Sequence, residues 1–476
     1  MRHRRLSLLV VCALLLAGCA QVLDGNPVSV FADPFRVGGM DAVDGATGLR
    51  PDAPEPTRAV GRTDNGPVDH IAVQAVSDIE TFWKANYSDA FDEEFRQAKL
   101  LISWDARHKG GRFCDADTFR LINAAYCYLD NTVGWDRGVL LPTMRRVYGD
   151  MAITMVLAHE FGHAVAAQAG LTKRRRTPTL VAEQQADCLA GVYLRWVAQG
   201  DSPRFTLSTG DGLNSVLAAL LVLRDPPLHP DDTVGNEHGS AFERISAFQF
   251  GFSDGAGSCA NIDAKEIRER RGDLPVQLQQ DQTGEWPIRE ESVGIVVDAM
   301  TTVFAPANPP RLSFDAAAAA SCADARPSPP ASYCPDTNTI TVDLPALQKM
   351  GTPAERGKAV VLSGDNTAYS VLQSRYMLAL QAEHGGLMLD NAAAALRTAC
   401  LTGVATAKLS QGVTNPDGSN VFLTAGDLDE AVAGLLTNGL AASDVNGESV
   451  PAGFSRIDAY RTGVLGDTER CLKRFP

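Results

Sequence analysis

Two histidines four residues apart enclose a glutamate in the run His159-Glu160-Phe161-Gly162-His163. On a helix, residues four apart share one face, so both imidazoles can reach one metal ion. Glu160 then sits where a carboxylate can reach a water on that ion. Glu183 and Asp187 repeat the spacing with carboxylates, a short loop and one helical turn beyond His163. Cys188, Leu189, Val192 and Tyr193 accompany them, which makes their helix a largely buried one rather than a solvated face.

The elements that must carry these residues follow from pattern. Residues 150–169 read as a helix, with Asp150 as its N-cap and Gly170 beyond its end. A second helix is predicted from about Pro178 to Gln199: Pro178 suits the first turn, Thr177 can cap it, and Gly200 follows the end. Leu100-Leu101-Ile102-Ser103-Trp104 and the stretch around Val133 read as strands.

An internal repeat organises the rest. Gln185-Ala186-Asp187-Cys188-Leu189-Ala190-Gly191-Val192 returns 212 positions later as Arg397-Thr398-Ala399-Cys400-Leu401-Thr402-Gly403-Val404. Phe242 to Phe248 returns at the same offset as Phe454 to Tyr460. Asn131-Thr132-Val133 with Asp136 reappears as Asn338-Thr339-Ile340 with Asp343, and Cys114, Cys127, Cys188 and Cys259 have counterparts in Cys322, Cys334, Cys400 and Cys471. A colinear series of this kind predicts two homologous domains, 68–272 and 288–476, joined by a polar linker at 273–287. The second lacks the chemistry. At an offset of 213, His159, Glu160 and His163 become Leu372, Gln373 and Tyr376; at 212, Glu183 and Asp187 become Ala395 and Ala399.

In His159-Glu160-Phe161-Gly162-His163, in the run Glu183 to Val192, and in His238-Gly239-Ser240 followed by Glu243-Arg244, the chain resembles the neutral zinc metallopeptidase family of bacteria. The resemblance implies an α+β, zincin-like metallopeptidase domain, here followed by a degenerate second copy. It also implies zinc held by His159, His163 and Glu183, with an open fourth position for water. Glu160 is then the general base, and Asp187 the partner that fixes a ligating histidine's tautomer. Where the family usually shows Tyr-Cys-Pro before its edge strand, the first domain has Tyr126-Cys127-Tyr128 and the second Tyr333-Cys334-Pro335. Zincins commonly set a second donor opposite the metal, aimed at the developing oxyanion. His238, which becomes Val450 in the metal-free copy, is the candidate, while Arg244, kept as Arg456, is assigned to holding the fold.

Compartment and charge complete the reading. Arg2, Arg4 and Arg5 precede an apolar stretch too short to span a bilayer, which ends in Leu16-Ala17-Gly18-Cys19. This looks like a bacterial lipobox: residues 1–18 are a signal peptide, Cys19 takes the lipid, and 19–67 is a flexible tether. The expected location is the extracytoplasmic face of the cell membrane, with the chain anchored through Cys19. Loss of the signal takes the formal charge from −14 to −17, which argues against nucleic acid as a partner. A peptide or protein substrate fits instead. Eight cysteines remain outside the signal and the lipid site, with no C-x2-C pair, so disulfides are favoured over zinc-thiolate sites. The close pairs Cys114–Cys127 and Cys322–Cys334 leave Cys188–Cys259 and Cys400–Cys471, although four cysteines per copy allow three connectivities. The run Lys173 to Arg176 reads first as a solvated loop, with anionic headgroups or an acidic substrate as the alternative. His70, His108 and His229 have no motif around them and read as structural or surface residues. The rival to an enzyme is a lipoprotein scaffold whose degenerate second domain docks a partner.

Overall fold

The computed structural model describes residues 33–173, 175–228, 238–280, 282–355 and 361–476. The signal segment, Cys19 and His229 lie outside the described residues. The architecture is mixed helix and sheet, of the α+β class. No helix among the described residues is long and apolar enough to cross a membrane.

Helix α1 (Pro67–Phe91) lies against α2 (Asp150–Gln168), the central helix of the first half. Met151 to Ala166 of α2 are all buried, so this helix has no solvent face and is held by packing on every side. The positive φ of Gly149 breaks the chain sharply from the preceding helix, and Gly170 ends α2 in the same left-handed region. Asp150 does not cap: it is the first helical residue, and its carboxylate accepts from Arg145 Nε at 2.8 Å.

Helix α3 (Thr179–Ala198) follows a loop and crosses α2 at Gly162. Thr177 does not cap it either, because its hydroxyl accepts the Lys173 N–H across the loop (2.9 Å) and Pro178 stands at the cap position. Helices α4 (Asp211–Val222) and α5 (Ala241–Asp254) complete the layer. Gly191 of α3 and Gly251 of α5 let two backbones touch: a Cβ on Gly251 would lie 1.8 Å from the Cys188 carbonyl oxygen.

A three-stranded sheet covers one side, made of β2 (Leu100–Trp104), β3 (Ala124–Cys127) and β4 (Thr132–Asp136), after the short β1 (Gly48–Leu49). Its order is β2-β4-β3, parallel between β2 and β4 and antiparallel between β3 and β4, which leaves β3 as an edge. The second half builds a sheet of the same order and sense. Its strands β6 (Arg311–Ser313), β7 (Ala331–Cys334) and β8 (Thr339–Val342) run β6-β8-β7. Helix α6 (Asp365–His384) packs on it, α7 (Ala392–Leu409) and α8 (Asp427–Thr437) pack on α6, and α9 (Gly453–Val464) packs on α7 and α8. Gly403 and Gly463 meet across α7 and α9 as Gly191 and Gly251 do across α3 and α5. The four disulfides join Cys114–Cys127, Cys188–Cys259, Cys322–Cys334 and Cys400–Cys471, as the spacing suggested, with separations of 13 and 71 residues in one half and 12 and 71 in the other.

Two stretches read as connectors are packed. From residue 33 the expected tether lies on the body: β1 pairs antiparallel with β5 (Phe205–Thr206), and Val37 is fully buried. Arg50 Nε donates to the carbonyls of Ser202 and Phe205. The expected linker buries Leu274 and Leu278 and bridges Gln277 to Leu228. In both, scattered apolar residues find partners far along the chain, which local periodicity does not register. One buried cluster runs through both halves, and Phe252 meets Phe454 at 5.1 Å between ring centres.

Candidate metal centre

His159 and His163 project from adjacent turns of α2, and Glu183 comes from α3 opposite. Glu183 Oε2 lies 3.1 Å from His159 Nε2 and 3.4 Å from His163 Nε2, so three donor atoms converge on one point. Two imidazole nitrogens and one carboxylate oxygen are a donor set that suits zinc. The convergence needs α2 and α3 in backbone contact: a Cβ on Gly162 would sit 2.5 Å from the Ala186 carbonyl oxygen.

Behind the donors, each imidazole has a partner. His159 Nδ1 is 2.7 Å from Asp187 Oδ1, so its proton sits on Nδ1 and Nε2 keeps its lone pair for a metal. Asp187 is wholly buried and would be costly there alone, but Arg244 grips it in a fork, Nε to Oδ2 at 2.9 Å and Nη2 to Oδ1 at 2.8 Å. A third bond, from Arg244 Nη1 to the Leu223 carbonyl, holds the guanidinium at 2.6 Å. Arg244, assigned from sequence to the fold, therefore supports the site as well. His163 Nδ1 lies 3.3 Å from the hydroxyl of Tyr128. Burial, with Glu183 nearby, holds that phenol protonated well above its ordinary range.

The electrostatics follow from this crowding. Burial opposes charge on His159, yet Asp187 and Glu183 outweigh it and push its pKa up to about 10. Burial likewise opposes ionisation of Glu183, but His163 and His159 hold it well below the usual carboxylate range. Such a cluster of acids and imidazoles accepts a cation in place of protons. Glu160 differs. Burial is its dominant influence and raises its pKa, with His159 and His163 pulling the other way. One of its oxygens accepts the backbone N–H of Tyr126 on the edge strand β3 at 2.9 Å, which fixes the carboxylate beside the donors.

His238 reaches the same cavity. Its Nδ1 is 3.0 Å from Asp225 Oδ1, its backbone N–H donates to Asp225 Oδ2, and its Nε2 lies 3.9 Å from Glu183. Sequence reasoning missed Tyr128 and Asp225, which lie on the chain just after the edge strand and just before residues outside the description; no spacing pattern marks either. The cavity, about 300 Å³, is bounded by β3, by the α2–α3 loop and by His238. In the second half the matching positions are filled. Leu372, Ala395 and Ala399 are buried, and the hydroxyl of Tyr376 pairs with that of Thr301 at 2.9 Å.

Three converging donors, a buried carboxylate beside them and an open cavity define a site of the metallohydrolase kind. Residues 33–263 match the family model described as "Putative neutral zinc metallopeptidase", and this part of the chain is similar to that family. The match begins well before residue 68, in keeping with the packed segment from residue 33. No curated protein and no solved structure matches the chain.

Proposed function

We propose that the chain is a zinc-dependent peptidase, with His159, His163 and Glu183 as the ligands and Glu160 as the general base. The observation that carries this is the meeting of His159 Nε2, His163 Nε2 and Glu183 Oε2 beside the carboxylate of Glu160. When bound, zinc supplies Lewis acidity that polarises a scissile carbonyl and acidifies water. Glu160 is the group to accept the proton of the attacking water, since its carboxylate is fixed beside the donors by the Tyr126 N–H, and the same carboxyl can hand that proton to the leaving amine. Asp187 and Arg244 hold the His159 tautomer. His238, held by Asp225 through Nδ1 and with its pKa raised by that bond, donates from Nε2 as the imidazolium to the oxygen that gains charge.

The wider reading is an exported protein held on the extracytoplasmic face of a membrane by lipid at Cys19. It is supported by the basic start, the Leu16-Ala17-Gly18-Cys19 ending and four disulfides, which persist outside the reducing cytoplasm. Residues 288–476 are read as a degenerate copy of the peptidase fold, supported by the shared strand order, the paired glycines and the matching cystines. The test combines metal analysis with turnover. The purified chain should hold one zinc and cleave peptides, and a chelator should abolish cleavage reversibly. Glu160→Gln should keep zinc and lose at least about a hundredfold in kcat. Normal hydrolysis by Glu160→Gln would remove that residue from the mechanism.

A further inference from the structure

The α2–α3 loop brings Lys173 and Arg175 to the wall of the cavity that holds the metal-binding donors. Both side chains are exposed. Among the described residues neither has a carboxylate within ion-pair distance, although acids outnumber basic residues 57 to 43 in this chain. The loop is built rather than loose. The Lys173 carbonyl accepts from Arg176 N and Thr177 N, the Thr177 hydroxyl accepts from Lys173 N, and Thr172 is tied to Gln185 by a buried 3.0 Å bond. The acids of the cavity, Glu160 and Glu183, are already engaged with the edge-strand N–H and the imidazoles. The charges left to meet a substrate are therefore positive.

Resting on the peptidase reading above, we infer that Lys173 and Arg175 select peptide substrates with an Asp or Glu side chain close to the scissile bond. Two cations fixed at a cavity mouth raise the local concentration of an anionic ligand and pair with it where water is partly excluded. A basic group facing a membrane surface would also attract anions, but here the cations share a wall with the donors, which favours the substrate.

The test uses the full chain and a set of peptides blocked at both ends, identical except for Glu, Gln or Lys at each position around the cleaved bond. The readout is the ratio of kcat/KM for Glu and Lys peptides, which does not depend on the fraction of active enzyme. The native chain should favour Glu at one or more positions, less so as salt is raised. Lys173→Glu/Arg175→Glu should lower the Glu-to-Lys ratio by roughly tenfold or more. Lys265→Glu, an exposed substitution outside the cavity wall, should leave it alone. An unchanged ratio in the double variant overturns the inference while cleavage itself upholds the peptidase reading. So does a double variant that loses only its binding to anionic vesicles. If no peptide of any charge is cleaved, the peptidase reading falls and takes this inference with it.

Discussion

At the scale of single residues, the arrangement behind His159 decides what the site can hold. Arg244 and Asp187 form a buried pair whose carboxylate fixes the imidazole. Removing Arg244 strands a charge: Asp187 would face His159 with no cation behind it in a wholly buried position. Arg244→Ala should therefore cost about 3 kcal/mol in stability and also weaken zinc retention about tenfold, measured by thermal melting and by competition with a chelator. A melt that falls with zinc affinity unchanged would return Arg244 to a purely structural role. The persistence of this residue as Arg456 is explained by its other bond: each arginine donates to a backbone carbonyl at the end of the preceding helix, Leu223 just past α4 in one half and Leu436 in the last turn of α8 in the other. Retention at the matching position of the second half thus marked a shared structural bond and concealed a second task. The spacings His159/His163 and Glu183/Asp187 were legible because both pairs lie one turn apart on a helix. Tyr128 and Asp225 were not, because strand-end and loop residues reach the site through the fold and leave no period.

At the scale of elements, the site depends on how closely α2 and α3 approach. Gly162 stands at their crossing, and the atoms that a Cβ would meet are backbone atoms of Ala186, which cannot rotate away. Gly162→Ala would gain roughly 1 kcal/mol in helix propensity and lose about 1–3 kcal/mol to overpacking. Because the clash is with main chain, the second effect should win and push α3 outward, taking Glu183 from the two histidines. The expected result is zinc binding weakened tenfold or more with helical content retained, read by metal titration and circular dichroism. Wild-type affinity would mean that the crossing does not set the ligand distances. The second half supports the argument: Arg375 occupies the equivalent position, and there its guanidinium bonds to the Ala331 carbonyl and the Ser443 hydroxyl. The existence of these helices was readable from sequence, but their caps were not. Thr177 and Asp150 are reasonable caps by type, and each found a better partner nearby, the Lys173 N–H and Arg145.

At the scale of the whole molecule, the second half is part of the structure that holds the site. The N-terminus of α5 needs acceptors for its first N–H groups. Ser240 and Glu243 supply a capping box within the helix. The remaining first-turn donors are answered from the second half, where Asp429 of α8 accepts from Phe242 N at 3.3 Å and pairs with Arg224 at 3.2 Å. Helix α5 carries Arg244, so a chain of contacts runs from Asp429 through α5 and Asp187 to His159. Gln249 Nε2 donates to the Phe454 carbonyl, and Asn214 accepts from Gly453 N, along the same boundary. Two independent domains on a polar linker would not share such groups, and the repeat in the sequence is silent on whether the two halves separate. Asp429→Ala should remove a helix-end acceptor and leave Arg224 largely buried and unpaired, at a cost of about 3 kcal/mol. Its zinc should also be lost more readily, though it lies far from the donors in sequence. Residues 33–272 made alone should melt well below the full chain, since Phe252 loses Phe454 and the Phe242 N–H loses Asp429. Calorimetry and zinc titration of the full chain, the variant and the shortened chain decide the matter. A shortened chain that melts with the full one and binds zinc equally well would show that the second half is attached to the site-bearing half without supporting it.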